Sequence, residues 1–255
     1  MEEKQPKRTI ILSLGGSFNP IHKNHIDIMV KAKEWLEENT DFKVVSGILV
    51  VTTDNYLKNK FGRTSEKILT AEHRMALCKL SCGPHEEWLA VHPVPCVSAY
   101  RAGLTYWNND NTMHVGLVMG ADKYDLYQVR SRWRQQAIDS VRVDVILGRG
   151  DVTDRMNADF QEDLQSGLML NSNYFIISDN VGDLSSTYVR QVLDMIGSDE
   201  SEQGKEKLSG MMSLPLAEYL FEHRNHLYIQ KEEEETNTKN YPIDQNVKKS
   251  KCSIS

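Results

Sequence analysis

A glycine-rich turn followed by two histidines is the first segment whose residue types could bind an anion. It reads Gly15-Gly-Ser-Phe-Asn-Pro-Ile-His22-Lys-Asn-His25 and lies between an apolar run and a helical pattern. Glycines at such a turn let the backbone approach a ligand closely, and the helix behind them offers free N–H groups and a positive dipole end. His22 and His25 are three residues apart, so they share one face of the first turn and can reach the same phosphate group. The alternative is an ordinary strand–turn–helix with two surface histidines.

A second anion-binding pattern lies far downstream, in Asp183-Leu-Ser-Ser-Thr-Tyr-Val-Arg190. It follows a predicted strand, and Ser185 or Ser186 would cap the helix that begins there. The hydroxyl groups of Ser186 and Thr187, with free N–H groups and Arg190 one turn later, would make a second cradle for phosphate. The alternative is a serine-capped helix without a ligand.

These two segments need a scaffold that brings them together, and the hydropathy pattern predicts one. Short β-branched runs predict six strands: Thr9–Leu14, Lys43–Thr52, Trp88–Val91, His114–Met119, Val141–Leu147 and Tyr174–Ser178. Helical patterns fall over five segments: Ile21–Glu38, Thr70–Ser81, Arg132–Ile138, Ser186–Met195 and Leu214–His223. Strands that alternate with helices form a parallel sheet covered on both faces. We therefore predict a Rossmann-like, doubly wound α/β domain that binds ligands at the carboxyl ends of its strands.

Three stretches lack a clear period. Pro93–Asn111 and Gly148–Asn173 are polar and interrupted, so we predict irregular loops there. Beyond residue 230 the chain has almost no apolar period, which predicts a disordered tail over residues 231–255. The sequence thus divides into a polar N-terminal extension of residues 1–8, one domain over residues 9–230, and that tail.

Composition limits the functions of this chain. The 255 residues carry 30 Lys and Arg against 36 Asp and Glu, a net charge of −6, and 40% of them are hydrophobic. This amino-acid composition is typical of a globular protein, and the excess of acidic residues argues against a general nucleic-acid-binding surface. The four cysteines include no C-x-x-C pair, so we predict free thiols in a reducing compartment inside the cell, in the cytoplasm or the nucleus.

Together, the two anion-binding segments resemble the (H/T)-x-x-H and S-S-T-x-x-R signatures of the nucleotidyltransferase superfamily, which bracket ATP. The residues between them are similar to one branch, the nicotinamide/nicotinic acid mononucleotide adenylyltransferases. Further segments match in order: Asp54-Asn-Tyr56-Leu-Lys58, Glu72-His-Arg74, Gly120-Ala-Asp122, Trp133 and Arg149-Gly150. The resemblance runs from about Ile11 to Tyr228. For His73 and Arg74 a solvated helix face is the alternative.

The resemblance implies adenylyl transfer from ATP to nicotinamide mononucleotide or nicotinic acid mononucleotide, which forms NAD or its deamido form. It implies ATP contacts at Gly16, Ser17, Phe18, His25, Ser186, Thr187 and Arg190. It implies mononucleotide contacts at Ser17, Tyr56, Lys58, Gly120, Asp122, Trp133 and Arg149. The residues implied in catalysis are His22, His25, Lys58 and Arg190. Asp122 would accept from a ribose hydroxyl, Trp133 would face the pyridine, and Mg²⁺ would bridge the oxygens of ATP.

The chain departs from that family at three places. Val91-His92-Pro93-Val94-Pro95 stands where the family has a Trp-Glu pair whose ring stacks on the pyridine. Three rings of the following loop could replace that wall: Tyr100, Tyr106 and Trp107. Asp27 replaces a customary arginine, and Gly182 stands where the family often has asparagine. These departures leave open a nucleotidyltransferase with another phosphorylated acceptor, and a non-catalytic, chaperone-like protein on the same fold.

The last four residues, Cys252-Ser-Ile-Ser255, resemble a prenylation signal. They fit C-a-a-X except that Ser253 is not aliphatic, and Lys248-Lys-Ser-Lys251 precedes them. One prenyl chain together with basic residues can anchor a protein to a membrane. Two interpretations follow: lipidation at Cys252 with weak membrane association, or a chance cysteine in a disordered tail.

Overall fold

A computed structural model describes residues 8–61, 67–106, 113–137, 139–197 and 202–229. The described residues form six strands, β1 to β6: Arg8–Gly16, Phe42–Val51, Leu89–Val91, Met113–Gly120, Arg142–Gly148 and Tyr174–Asn180. They also form nine α-helices, α1 to α9: Lys23–Asn39, Asp54–Phe61, Ala71–Cys82, Ala99–Leu104, Val129–Trp133, Val152–Gln165, Ser186–Ile196, Glu202–Ser209 and Leu214–His223. Short 3₁₀ turns lie at Gly83–His85 and Ala121–Lys123.

The six strands form one parallel sheet in the order β3-β2-β1-β4-β5-β6. The chain moves outward from β1 to β2 and β3, then returns to place β4 on the other side of β1. The direction of winding therefore reverses between β1 and β4, and in such sheets the ligand crevice lies outside the carboxyl ends of those two strands. The predicted doubly wound α/β fold is confirmed.

The sheet buries both of its faces. In β2, Leu49 and Val51 pack into the large core that includes residues of α1, α3, α7 and α9. Their neighbours Ile48 and Val50 belong to a separate cluster with Ala99 and Ala102 of α4, because successive strand residues point to opposite faces. This explains why the strands read as nearly continuous apolar runs rather than as alternating ones.

One predicted helix is displaced. The sequence pattern placed a helix over Arg132–Ile138, whereas α5 spans Val129–Trp133, and residue 138 lies outside the described residues. Val129 and Trp133 are four residues apart and both are buried, so they form the buried face of α5. The backbone carbonyl of Trp133 then accepts from the backbone N–H groups of Leu170 and Asn171, at 2.9 and 3.0 Å.

The two stretches predicted as irregular each contain a helix. Within Pro93–Asn111 lies α4, whose Ala102 and Gly103 pack tightly on the sheet: a Cβ at Gly103 would lie 2.5 Å from Val115. Within Gly148–Asn173 lies α6, whose buried positions include the polar Thr153 and Asp163 beside Met156. Small residues in one helix and polar buried residues in the other break the apolar period that sequence analysis depends on. Helices α2 and α8 were also missed.

The cysteines of α3 follow the prediction of buried free thiols. Cys78 and Cys82 are both buried, and burial raises the pKa of the Cys82 thiol to about 12. None of the described helices is long and apolar enough to cross a membrane. Strand β1 begins at Arg8, one residue inside the predicted N-terminal extension. The predicted tail, with Cys252, lies outside the described residues, so its lipidation remains a prediction.

Candidate active site

Glycines end three neighbouring strands at the carboxyl edge of the sheet: Gly16 in β1, Gly120 in β4 and Gly148 in β5. At Gly16 a Cβ would lie 2.7 Å from the ring of Phe18, and the backbone of Phe18 itself has a φ of 46°. At Gly148 a Cβ would lie 2.7 Å from the backbone oxygen of Ser178. Side chains are thus excluded where the chain leaves the sheet, and the turn after β1 folds closely against the strand end.

The predicted histidine pair lies in the first turn of α1, directly behind that turn. The rings of His22 and His25 are 3.8 Å apart between centroids. His25 Nδ1 accepts from the backbone N–H of His22 at 3.2 Å, which fixes how the second ring faces the helix start. His22 is 1% exposed, and within the described part of the chain neither of its ring nitrogens has a hydrogen-bond partner. The expectation that both rings share one face is therefore confirmed.

Burial and a nearby cation keep both imidazoles neutral. Burial is the larger cause, with the Arg149 guanidinium second, and together they lower the pKa of His22 from 6.5 to about 3. Burial, His22 and Arg149 together lower the pKa of His25 well below its usual value. Near pH 7 the pair therefore presents N–H donors and lone pairs rather than positive charges.

The second motif contacts the first one directly. Ser185 caps α7 by accepting from the backbone N–H of Tyr188 at 3.2 Å. Ser186 Oγ donates to the backbone oxygen of Pro20 at 2.8 Å. Arg190 Nη1 donates to the backbone oxygen of Asn19 at 2.6 Å, and its Nη2 donates to Thr187 Oγ1 at 3.2 Å. The two segments, 166 residues apart at the Ser186–Pro20 bond, thus meet at one end of the sheet.

The residues that end β4 and β5 complete this edge. Arg149 Nη2 donates to the backbone oxygen of Leu184 at 3.1 Å, and its Nη1 lies 3.9 Å from Asp122 Oδ1. Asp122 also pairs with Lys123 at 2.6 Å. A Cβ at Gly120 would lie 2.6 Å from Asp122 Oδ1, so a side chain at position 120 would displace that carboxylate. The predicted residues Gly120, Asp122 and Arg149 therefore lie together, next to the segment that enters α7.

Tyr56 and Lys58 lie on α2, which follows β2. Both side chains are exposed, and Tyr56 keeps 49% of its accessible surface. Lys58 lines an open cavity of about 600 Å³ together with Asp54, Thr70 and Tyr228. These two predicted residues are thus available to a ligand, on an element that must itself be held against the turn after β1.

Arg74 of α3 holds that element, and its role was not recognised from the sequence. Its side chain is fully buried. Nε donates to the backbone oxygen of Leu69 at 3.0 Å, Nη1 to that of Ser17 at 2.9 Å, and Nη2 to Asp54 Oδ1 at 2.7 Å. One guanidinium therefore joins the turn after β1 to the start of α2. The alternative of a solvated helix face is wrong for Arg74, and the only sequence signal was the family's H-R pair.

Trp133 does not have an exposed ring face. Its side chain is fully buried, with the rings of Tyr124, Phe160 and Tyr174 at centroid distances of 5.8, 5.4 and 6.1 Å. Its indole N–H donates to Asp163 Oδ2 at 2.8 Å. Stacking of a pyridine ring on Trp133 would therefore require these neighbours to move.

Asp163 is a second residue that the sequence did not single out. Its carboxylate is fully buried on α6 and accepts from Arg130 and Arg134 as well as from Trp133. The two guanidinium groups hold the pKa of that carboxyl well below its usual range. It fastens α5 to α6, and no apolar period could reveal it because it is a charged residue on a buried face.

Among the residues that the structure describes, neither Tyr100 nor Tyr106 is an obvious substitute for the aromatic wall that the family places near the third strand. Val94 is 57% exposed at the position of the missing Trp-Glu pair. Tyr100 donates its hydroxyl to Asp139, so its polar end already has a partner. Tyr106 is exposed at the end of α4 with its ring 6.0 Å from His92, and Trp107 lies outside the described residues.

Comparison with known proteins agrees with this geometry. The sequence profile described as "Cytidylyltransferase-like" matches residues 13–192, from the first strand to the helix that carries Arg190. The chain belongs to the cytidylyltransferase-like family. The matched range contains both anion-binding segments, so the predicted place in the nucleotidyltransferase superfamily is confirmed.

Within this cytidylyltransferase-like family the chain is similar to curated proteins named nicotinamide/nicotinic acid mononucleotide adenylyltransferase 2. The one from Danio rerio is 34% identical over 96 residues, which is 38% of this chain and 29% of the relative. That from Rattus norvegicus is 32% identical over 90 residues, 35% of this chain and 27% of the relative. That from Saccharomyces cerevisiae is 33% identical over 85 residues, 33% of this chain and 20% of the relative. The matched part thus spans less than a third of each relative's length.

Proposed function

We propose that this chain transfers the adenylyl group of ATP to nicotinamide mononucleotide or nicotinic acid mononucleotide, releasing pyrophosphate and forming NAD or its deamido form. One observation carries the proposal: the α1 and α7 N-termini meet at the sheet's switch point, joined by Ser186 and Arg190. Two helix N-termini and two neutral imidazoles beside an arginine are suited to a polyphosphate. The names of the relatives suggest which acceptor is used.

The reaction needs no covalent enzyme intermediate. An oxygen of the mononucleotide's ionised phosphate attacks the α-phosphorus of ATP. The bond from that phosphorus to the bridging oxygen of the β-phosphate breaks, and its electron pair leaves with pyrophosphate. No proton has to be removed from the attacking group, so the protein contributes positioning and stabilisation of charge.

The residues at the switch point have separate roles in binding and positioning ATP. His22 and His25, neutral near pH 7, donate N–H groups to the α- and β-phosphate oxygens. Backbone groups of Gly16, Ser17 and Phe18 contact the phosphates closely. Thr187 and Arg190 hold the β- and γ-phosphates. A rigid set of donors placed before the reaction stabilises charge that develops in the transition state at little reorganisation cost.

The acceptor is held at the neighbouring strand ends. Asp122 accepts a hydrogen bond from a ribose hydroxyl, with Gly120 leaving room for its carboxylate and Arg149 beside it. Lys58, whose side chain is exposed on α2, draws the two negatively charged substrates together, and Tyr56 lies on the same helix. Trp133 contributes an aromatic face only if the segment around α5 rearranges.

Mg²⁺ enters this proposal with the substrate. Among the described residues, no group of three or more His, Cys, Asp or Glu side chains could hold a metal ion. Asp122, an acidic side chain at these strand ends, is already paired with Lys123 and Arg149. The donor set thus does not fit a resident metal, and Mg²⁺ would be carried on the oxygens of ATP, where it neutralises phosphate charge.

The test is a pyrophosphate-release assay with the full chain, ATP and a panel of acceptors. Nicotinamide mononucleotide, nicotinic acid mononucleotide and pantetheine phosphate are compared, each also with CTP in place of ATP. We expect product from ATP with the pyridine nucleotides. Product only from another acceptor or only from CTP would refute the pyridine assignment and leave a related nucleotidyltransferase. Nucleotide binding without product from any pair would favour the non-catalytic alternative.

A second candidate, a nucleotidyltransferase with another phosphorylated acceptor, is favoured by a specific observation. The exposed Val94 stands where the family has the ring that stacks on a pyridine, and Trp133 is fully buried. An acceptor without an aromatic ring would need neither. The same acceptor panel separates the two candidates.

A further inference from the structure

The described residues contain three buried side-chain nitrogens without a hydrogen-bond partner, and all three lie in one helical turn. Two are the ring nitrogens of His22, and the third is the amide nitrogen of Asn24. Asn24 is 7% exposed. Leaving a buried donor unpartnered costs about 1–3 kcal/mol, so natural proteins rarely do so without a functional reason. His22 has such a reason in the proposed reaction, whereas Asn24 has no role among the steps of that reaction.

The Asn24 amide lies at the seam between the two anion-binding segments, which is the place where the start of α1 meets the residues just before α7. It belongs to the first turn of the 17-residue helix α1, between His22 and His25. Across the seam is Gly182, whose φ is +85° and which precedes the serines of α7. A Cβ at Gly182 would lie 3.3 Å from Asn24 Nδ2. The amide therefore occupies the space into which a side chain at position 182 would begin.

We propose that Asn24 is a further nucleotide-binding residue, whose side-chain N–H donates to the ATP held between the α1 and α7 N-termini. An amide is a neutral donor, suited to an oxygen or ring-nitrogen acceptor of the nucleotide. In the complex the nucleotide accepts a hydrogen bond from the Asn24 amide. The amide is then no longer unpartnered, and this gain in free energy adds to the affinity for ATP. This role rests on the proposed function only in naming ATP as the nucleotide.

Position 182 leaves the Asn24 amide its room. Because a Cβ there would already lie 3.3 Å from Asn24 Nδ2, a longer side chain at 182 would compete with the amide for the same space. Glycine at 182 therefore keeps the amide in place between the two motifs.

The experiment compares the full chain with its Asn24→Leu variant, which removes the donor at similar volume. Thermal unfolding is recorded without ligand, with Mg²⁺-ATP and with Mg²⁺-tripolyphosphate. Without ligand, we expect the variant to be at least as stable as the native chain, because an unpartnered amide is removed. With ATP, we expect about a tenfold weaker apparent affinity, the loss of one hydrogen bond. A residue that only supported the fold would instead destabilise the free protein and leave the ATP affinity unchanged.

The tripolyphosphate arm locates the acceptor. Equal loss for both ligands places the bond on a phosphate, and loss for ATP alone places it on the nucleoside; both support the proposal. Asn39→Ala is the matched control, because the Asn39 amide is exposed at the other end of α1 and already donates to the backbone oxygen of Trp35. If Asn24→Leu does not fold, Asn24→Ala, which cannot overpack, replaces it.

Unchanged ATP affinity in the variant would overturn the assignment of Asn24. Failure of the proposed function looks different: the native chain would still be stabilised by ATP, but the pyrophosphate-release assay would give no product with pyridine mononucleotides. If ATP does not stabilise the native chain at all, both proposals are refuted.

Discussion

At the scale of single residues, the site depends on two imidazoles that are buried without charge. Among the described residues, His22 finds no partner for either ring nitrogen, and His25 Nδ1 accepts from the backbone N–H of His22. In the ligand-free protein, neutral donors avoid the desolvation cost that a buried cation would carry. The basic side chains of the proposed site include those of Lys58, Arg149 and Arg190.

His25→Ala tests the donor role of the second imidazole. We expect kcat for adenylyl transfer to fall by about 10²–10³-fold, the usual loss for one preorganised donor. The free energy of unfolding should fall by no more than about 1.5 kcal/mol, because one hydrogen bond to the His22 backbone is lost. Steady-state kinetics and urea unfolding measure the two quantities. Glu38→Ala, exposed on the same helix, is the control, and full activity of His25→Ala would contradict the assignment.

The lowered pKa of His22 predicts a pH-dependent stability. An unfolded chain titrates this histidine near its ordinary pKa of 6.5 and the folded chain only at about 3. Between these values the unfolded state binds more protons, so the free energy of unfolding is highest above about pH 6.5 and decreases as the pH falls toward 3. Between pH 7 and pH 5, His22 alone should account for about 2 kcal/mol.

Urea unfolding of the native chain and of His22→Gln at pH 7 and pH 5 checks this value. The variant cannot take up that proton, so its free energy of unfolding should decrease by about 2 kcal/mol less over this interval. His85→Gln is the matched control for the loss of a histidine, since that ring lies beside Trp88 in the 3₁₀ turn after α3 and outside the proposed site. Parallel decreases in the native chain and in His22→Gln would mean that His22 titrates normally in the folded protein.

At the scale of elements, Arg74 couples the two halves of the proposed site. The turn after β1 would contact ATP, and α2 carries the residues that would contact the acceptor. One buried guanidinium donates to the Ser17 backbone in the first and to Asp54 in the second. Asn19 adds to this connection, because its side chain accepts from the backbone N–H of Leu69 and donates to the oxygen of Lys67.

Arg74→Ala should therefore impair both stability and both substrate affinities. Removing this fully buried guanidinium costs roughly 3 kcal/mol in free energy of unfolding, since its backbone acceptors and the partly exposed Asp54 are left behind. We expect KM to rise for ATP and for the acceptor together, as both anchor segments loosen. Arg74→Lys keeps the charge but not the three-way geometry, so it should recover only part of the loss. Urea unfolding and initial rates measure these effects, with the exposed Arg101→Ala as control; a change in only one KM would contradict the coupling.

The hydrogen bonds between α5 and α6 explain why the hydropathy pattern did not predict α6. Helix α6 turns Met156 inward together with Thr153 and Asp163. The charged Asp163 is tolerated there because Arg130, Arg134 and the Trp133 indole all donate to it. A helix whose buried face is partly polar has a weak apolar period, and its position can be explained only after its partners are known.

At the scale of the whole molecule, an acidic chain concentrates its anion-binding groups at one edge. The net charge of −6 excludes a general polyanion surface, yet Arg149 and Arg190 lie where three glycine-ended strands and two helix N-termini meet. Local geometry rather than net charge determines this binding, because charges separated by more than about 10 Å are largely screened at physiological salt.

The predicted division into domain and tail can be tested by truncation. Removing residues 231–255 should change the melting temperature and the rate of adenylyl transfer by less than the experimental error, since the sequence predicts no packed structure there. Removing residues 214–255 is the matched control. It also deletes α9, whose Leu216, Leu220 and Phe221 are buried in the main core. Each such side chain contributes about 1.5–3 kcal/mol, so this shorter chain should not fold. A large loss on the first truncation would show that the tail is part of the folded unit.

The sequence alone determined most of the sheet and both anion-binding segments. The six strands and the helices α1, α3, α7 and α9 follow from hydropathy period and capping residues, which are local properties of the chain. His22, His25, Ser186 and Arg190 could be found for the same reason, because their motifs are short and contiguous. Helices α4 and α6 could not, since their burial depends on small or polar residues that match distant partners.

How these elements and motifs meet is determined by the tertiary structure. That Ser186 contacts Pro20, that Arg74 is buried between three segments, and that Trp133 is covered by other rings are facts about residues far apart in sequence. The same holds for Asn24, an ordinary polar residue in the sequence whose amide is buried against Gly182 in the fold. Periodicity predicts which face of an element is buried, but the partner of each buried polar group is set by long-range packing.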